Sequence, residues 1–358
     1  MKESLIKNLT ILDNLYGVSG NEEAVAEAVK ELMEGLYDKY EEDPLGNQYY
    51  TRYGKNKDKK FVISAHMDEI GFCINHIEEN GLARMLPVGF HDERMGINQH
   101  LVAITREGKV IEGVTGCIPF HFLSPEDMKQ GLTIADLSLD FGTNTREATQ
   151  ALGVDVGDYV TWKADGKMMN GTDIYCGKSI DDRAACAVLI ELMKEFRDEA
   201  PEVTIVAVFS TQEEVGMRAG GIIADREHPD FFIGLDLTLA RGIPGLEENV
   251  DHTEMGKGIA LNYFDWDPEL GMTGNNIPRK VNNFFEDLCE AKDIPYQKVV
   301  LVGGGTDSWS AALGGGGTLC GGIFIPSQYV HSAVGTIDIN DMICTERLLR
   351  ETVREFPF

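Results

Sequence analysis

The chain has 358 residues, with 32 Lys and Arg against 59 Asp and Glu, and this formal net charge of -27 argues against nucleic acid as a partner, because phosphate binding needs clustered cations. A hydrophobic fraction of 43% suits a folded globular protein, and without an apolar run of roughly 20 residues no membrane partner is expected. The seven cysteines are scattered and never spaced as Cys-x-x-Cys, which predicts reduced thiols. With no apolar signal core at the start of the chain, we expect a cytoplasmic protein.

The first predicted elements are an amphipathic helix after Asn21 and a series of short, β-branched apolar runs, each followed by polar residues. These runs are typical of buried strands in a mostly parallel sheet, and they span 61–65, 203–209, 231–235 and 322–325. Helical periodicity lies between several of them, notably at 182–196 and 281–292. The alternation predicts an α/β fold with three layers.

The segment 72–165 has a different pattern, with short apolar runs at 100–104 and 109–111, turn residues between them and little helical periodicity. We therefore predict one discontinuous α/β domain, residues 1–71 and 166–358, interrupted by a mostly β domain at 72–165.

Metal-capable side chains stand just past the predicted strands. Because ligands of doubly wound sheets sit outside the carboxyl ends of the strands, these side chains could converge on one site. Two histidines and three carboxylates are what two divalent cations need if one carboxylate bridges them. The candidates are His66, Asp68, Asp181, Asp182, Glu213, Glu214, Asp236 and His331.

Each cluster also has a simpler interpretation when it is taken alone. A His-x-Asp such as His66 and Asp68 is often incidental, acids at 181–182 suit a helix N-terminus, and Glu213 with Glu214 suits a solvated pair. Beside a metal, however, one glutamate can bind it while its neighbour accepts a proton from water. Alternation along an extended segment puts Asp68 on the same side as His66, where it could orient the imidazole.

Taken together and in order, the clusters resemble the M42 family of di-metal aminopeptidases. The matching segments are His-Met-Asp-Glu-Ile-Gly at 66–71, Lys-Ser-Ile-Asp-Asp-Arg at 178–183, Gln-Glu-Glu-Val-Gly at 212–216, Asp-Leu-Thr at 236–238 and Tyr-Val-His-Ser at 329–332. Segments 119–123 and 139–142, inside the predicted insertion, also look like family signatures. The resemblance implies a three-layer αβα zinc-peptidase domain with an inserted β domain that mediates assembly, through dimers, into hollow tetrahedral dodecamers.

The resemblance also implies a role for each ligand. Asp181 would bridge two divalent metal ions, zinc first, with cobalt or manganese as alternatives; His66 and Asp236 would complete one site, and Glu214 and His331 the other. Glu213 would be the general base that takes a proton from the shared water and leaves a hydroxide bridging the metals, and Asp68 would be the partner of His66. The implied activity is removal of the N-terminal residue of short peptides, and a cis peptide is expected after Asp181.

The sequence departs from the family pattern at two positions, where Gly242 and Gly335 replace acids that are common in relatives. We expect these changes to affect the surroundings of the metals and the substrate pocket more than the metal site itself. Asp307, in a Gly-Thr-Asp turn, is expected to shape the pocket. The remaining histidines are expected to be surface or packing residues, and His91 is the best candidate among them to touch substrate, because the resemblance implies an insertion that reaches toward a neighbouring active site.

Two other functions stay open. The acidic pair Glu213 and Asp68 would also suit an endoglucanase-type glycoside hydrolase, a label that some family members carry. A non-catalytic metal-binding assembly protein is the third possibility, motivated by Gly242 and Gly335.

Overall fold

The computed structural model describes residues 1–124, 134–246, 253–267 and 272–358. Its helices are α1 (Lys2–Asp13), α2 (Glu23–Met33), α3 (Arg146–Ala151), α4 (Ile180–Glu195), α5 (Arg218–Glu227), α6 (Arg279–Lys292), α7 (Asp307–Ala311) and α8 (Ile339–Arg354). Its strands are β1 (Lys39–Glu42), β2 (Gln48–Arg52), β3 (Asn56–His66), β4 (Gly71–Ile77), β5 (Ala83–Val88), β6 (His100–Ile104), β7 (Val110–Thr115), β8 (Leu139–Asp140), β9 (Tyr159–Trp162), β10 (Lys167–Met168), β11 (Ile174–Gly177), β12 (Val203–Ser210), β13 (Phe231–Leu239), β14 (Ile259–Asp267), β15 (Met272–Asn276), β16 (Tyr296–Val302), β17 (Cys320–Gln328) and β18 (Gly335–Asp338). Within these ranges, none of the helices has the length and apolar character needed to cross a membrane.

Four parallel strands form the centre of the main sheet, in the order β12, β3, β13 and β17. They contain the four predicted runs. The helix predicted after Asn21 is α2, and the two helical stretches predicted between the runs are α4 and α6. The outer parts of the sheet differ from the mostly parallel prediction, because β2 and β18 pair antiparallel with its central strands. Antiparallel neighbours need only short connections, so the short polar strand β1 can pair with β2 at the edge of the sheet without a crossover helix.

Helices cover both faces of this sheet, which confirms the three-layer αβα fold. Successive strand residues point to opposite faces, so Phe61 and Ile63 pack into the larger core with α1, α2, α4, α6 and α8. Val62, between them, packs into a second core with residues of α5 and α7. α4 is buried at every position from Asp182 to Met193, as expected for a helix that lies against the middle of the sheet.

Between β3 and β10 the chain leaves the sheet and forms a closed six-stranded barrel, in the order β4-β5-β8-β7-β6-β9. The barrel has its own apolar core, which includes Phe72, Leu101, Val160 and Trp162. In sequence, β3, which ends at His66, precedes the barrel, and α4 follows it. The first strand of the barrel begins five residues after His66.

Candidate metal centre

The metal-capable side chains lie at one edge of the parallel sheet. His66 is the last residue of β3, Asp236 lies in β13, and Glu213 and Glu214 follow β12. His331 follows β17 in the turn before β18, and Asp181 stands in the first turn of α4. The strands are parallel, so their carboxyl ends bring these side chains together.

They form two groups that share one carboxylate. In each group the ligand atoms lie within 4.8 Å of one another: His66, Asp181 and Asp236 in the first triad, and Asp181, Glu214 and His331 in the second triad. Asp181 turns Oδ1 toward His66 Nε2 at 3.2 Å and Oδ2 toward His331 Nε2 at 3.4 Å. The peptide bond after Asp181 is cis, which confirms that prediction.

The electrostatics of the centre suit cations. Burial raises the pKa of Asp236 and of Glu213 well above the ordinary value, and that of Glu214 to about 7. In the described part of the chain, the basic side chains within 4 Å of these acids and of Asp181 are two histidines. Buried carboxylates need a paired charge or a metal, and a set of imidazole nitrogens and carboxylate oxygens is what zinc and similar divalent ions accept. The residues present therefore fit two divalent metal ions.

Asp68 is completely buried and acts on the backbone around it. Its Oδ1 accepts a hydrogen bond from the backbone N–H of Glu213 at 3.1 Å, and its Oδ2 accepts from Glu214 N–H at 3.1 Å and from Ser19 Oγ at 2.6 Å. His66 Nδ1 lies 3.1 Å from the Asp68 carbonyl oxygen and 3.5 Å from Oδ1. Asp68 thus holds His66 and both glutamates, and it is too enclosed to protonate a glycosidic oxygen as a glycosidase acid must.

Glu213 and Glu214 point to different histidines. Glu214 Oε2 is 3.5 Å from His331 Nε2 and belongs to the second triad. Glu213 Oε2 is 4.0 Å from His66 Nε2 and belongs to neither triad. Glu213 is therefore a carboxylate beside the centre whose oxygens are not needed as ligands.

A buried ionic network joins the segments that carry the metal-capable side chains. Its charged residues lie inside the motifs that resemble the family, but no role was expected for them from the sequence. Lys178 Nζ donates to both oxygens of Glu69, at 2.8 and 2.7 Å, and Glu69 also accepts from Ser179 and from Thr161 of β9. Arg183 donates to the carbonyls of Met67 and Leu12. Charged residues of both signs within the motifs that carry the metal-capable side chains were the available signal, since such residues are rarely buried unless they are paired.

The other residues that the sequence singled out belong to neither triad. Asp307 is buried and accepts from Ser64 Oγ, Ser210 Oγ and the backbone N–H of Gly220, so it joins β3 and β12 to α5. A Cβ at Gly335 would lie 2.8 Å from a side-chain carbon of Ile180, and Gly242 has a φ of +96°. Gly242 lines a cavity of about 600 Å³ beyond the ends of β13 and β17.

Comparisons with known proteins were made for both sequence and structure. The family described as M42 glutamyl aminopeptidase matches residues 46–348. The glutamyl aminopeptidase of Lactococcus lactis is 28% identical over 98% of this chain and 96% of its own. An aminopeptidase from the archaeon Desulfurococcus kamchatkensis superposes with a TM-score of 0.93 at 32% identity, covering 99% and 95% of the two chains. The TET1 peptidase of Pyrococcus horikoshii, described as assembling into a tetrahedron or a large octahedral shell, gives a TM-score of 0.86 at 26% identity, covering 98% and 99%.

Proposed function

The chain belongs to the M42 glutamyl aminopeptidase family, and from that membership and the two triads we propose that it is a di-metal aminopeptidase that removes the N-terminal residue of short peptides. The observation that carries the proposal is the sharing of Asp181, with one oxygen turned to each histidine. A single structural metal would need one triad and no bridge. The seven cysteines of the chain are all free thiols, which supports a cytoplasmic enzyme.

The proposed roles follow from the position of each side chain. His66, Asp181 and Asp236 hold one divalent ion, and Asp181, Glu214 and His331 hold the other, with zinc as the first choice and cobalt or manganese as alternatives. When bound, such ions polarise the scissile carbonyl and lower the pKa of the attacking water. Glu213 Oε2 accepts the proton of that water and returns it to the leaving amine. Asp68 keeps Glu213 in place through the backbone N–H that it binds.

The barrel is proposed as the assembly domain, with the bounds 72–165 predicted from the sequence. Support comes from the large shells described for the Pyrococcus horikoshii relative and from exposed apolar side chains on the barrel. Phe122 is 80% exposed and Ile118 62% exposed, and apolar surface of this kind marks interaction sites. We propose a tetrahedral dodecamer.

Metal removal tests the function. A panel of aminoacyl chromogenic amides is assayed with the purified protein, after exhaustive chelation, and after re-addition of Zn²⁺, Co²⁺ or Mn²⁺. We expect activity to disappear on chelation and to return with metal. Activity on glucans that survives chelation would point to a glycosidase, and complete inactivity of a protein that holds two metals would point to a non-catalytic assembly protein.

A further inference from the structure

A loop of the barrel reaches the second triad. This loop, residues 89–91, follows β5 and is called here the clamp loop. The carbonyl oxygen of Phe90 accepts a hydrogen bond from His331 Nδ1. A Cβ placed at Gly89 would lie 3.5 Å from the Glu214 Cβ, so the backbone passes beside Glu214. The clamp loop therefore contacts His331 and lies next to Glu214, the two members that are specific to the second triad.

An aromatic cluster in the barrel holds the clamp loop. The His91 ring packs edge-on against Phe72 and Trp162, with ring centroids 4.7 and 5.6 Å apart, and both partners are buried. Neither ring nitrogen of His91 has a hydrogen-bond partner among the residues that the structure describes. Burial lowers the pKa of His91 to about 4, so the ring is neutral and packs as an aromatic group.

Gly89 fixes the other end of the clamp loop. It has a φ of +80°, and a Cβ there would lie 2.6 Å from Ile70 Cγ2. The left-handed conformation and the close approach both favour glycine. An alanine at this position would have to move either Ile70 or the clamp loop.

The two histidines of the centre are constrained differently. His66 is buried, and its Nδ1 faces the carbonyl of Asp68, two residues away on the same segment. The His331 side chain is 34% exposed and follows the end of β17, and its Nδ1 contact comes from a segment 241 residues away. A ligand histidine usually donates its second N–H to such a partner, which sets the direction of the ring.

We propose that the clamp loop is a positioning element for His331: the Phe90 carbonyl orients the imidazole, and His91 anchors that carbonyl by packing against Phe72 and Trp162. The inference rests on the proposed metal sites. In this proposal, the αβα domain alone forms the first triad, whereas the orientation of His331 in the second triad depends on the barrel. Loosening the clamp loop should therefore weaken the second metal ion selectively.

The test uses the full-length chain, stripped of metal and titrated with Co²⁺ alone. His91→Ala removes the aromatic anchor, Gly89→Ala displaces the clamp loop, and His91→Phe restores a flat ring of similar size. His76→Ala is the matched control, because it removes an exposed histidine of the same barrel. Bound cobalt is followed by its visible spectrum and by elemental analysis, and thermal melting of the metal-free proteins reports folding.

We expect the wild type, His76→Ala and His91→Phe to bind two ions per chain. In His91→Ala and Gly89→Ala the first ion should bind as in the wild type and the second about 10–100-fold more weakly, the usual cost of losing an orienting contact. If His91→Ala does not fold, the comparison of Gly89→Ala with the wild type tests the positioning role.

Equal weakening of both ions, unchanged binding of both, or failure of His91→Phe to restore the second ion would each overturn the positioning role. A wild type that binds fewer than two ions would instead contradict the proposed function, so the two failures are distinguishable.

Discussion

Glu213 and Glu214 are neighbours with different surroundings. Both are held through their backbone N–H groups by Asp68, yet Glu214 faces His331 inside the second triad and Glu213 faces His66 outside both triads. Two backbone hydrogen bonds to one aspartate thus present two carboxylates to two different positions. We therefore expect metal binding to depend on Glu214 and proton transfer to depend on Glu213.

Glu213→Gln should therefore bind two metals per chain and still bind peptide, while kcat falls about 10²–10⁴-fold, because the amide keeps the shape of the carboxylate but accepts no proton. Glu214→Ala should lower metal content and activity together, since it removes a ligand. Metal by elemental analysis, kcat and KM are measured on the same preparations. Near-normal turnover of Glu213→Gln, or loss of metal from it, would reverse the assignment.

At the scale of elements, the Lys178–Glu69 ion pair lies where several parts of the chain meet. Lys178 precedes α4 and also donates to the carbonyl of Leu15 after α1, and Glu69 lies between β3 and β4. Both side chains are almost completely buried. Removing one partner leaves a buried charge, which is far more costly than losing an exposed pair.

Lys178→Met should lower the free energy of unfolding by about 3–5 kcal/mol, measured by urea denaturation of the metal-free chain. Lys55→Met is the matched control: it breaks a pair with Glu202 whose members are each 51% exposed, and it should leave the free energy of unfolding nearly unchanged. Equal effects of the two substitutions would show that burial does not determine the strength of these pairs.

Helix α8 carries a buried acid that should make stability depend on pH. Burial raises the pKa of Glu346 to about 7, although Arg350 opposes the shift. The folded state thus keeps a proton that the unfolded chain releases above about pH 4.3. The contribution of Glu346 is complete below that pH and is lost as the pH rises toward 7.

Glu346→Gln should flatten the fall in stability between pH 4.3 and 7 by up to about 3 kcal/mol relative to the wild type. The measurement is the urea midpoint of the metal-free chain across this range. Glu195→Gln removes a 37% exposed carboxylate that lies 3.5 Å from Arg350. It should flatten the slope much less than Glu346→Gln does, because the Glu195 charge only adds to a pKa shift whose main cause is the burial of Glu346. A wild-type slope in Glu346→Gln would contradict the assignment.

For the whole molecule, the proposed dodecamer predicts a mass near 474 kDa in light scattering, twelve times the 39.5 kDa of one chain. Phe122→Asp should shift the distribution to smaller species, because it places a charge on the exposed apolar surface of the barrel. Leu313→Asp is the control, since Leu313 is 82% exposed on a loop outside the barrel. A single species of monomer mass at micromolar concentration would contradict the assembly.

The sequence by itself determined the central strands, three of the helices that pack on them and the types of the metal-capable residues. Continuous apolar runs and helical periodicity are local signals. His66, Glu214, Asp236 and His331 stand after such runs, and Asp181 stands at the start of a helical stretch. The resemblance to a family added the pairing of ligands.

Tertiary structure alone decided the contacts made by backbone groups and the antiparallel outer parts of the sheet. The Phe90 carbonyl that accepts a hydrogen bond from His331 and the two N–H groups that Asp68 binds belong to peptide units that every residue carries. The residue types in these segments therefore do not predict either contact. Such contacts depend on how the barrel and the parallel sheet are placed in space, because they join segments as far apart as 241 residues in the chain.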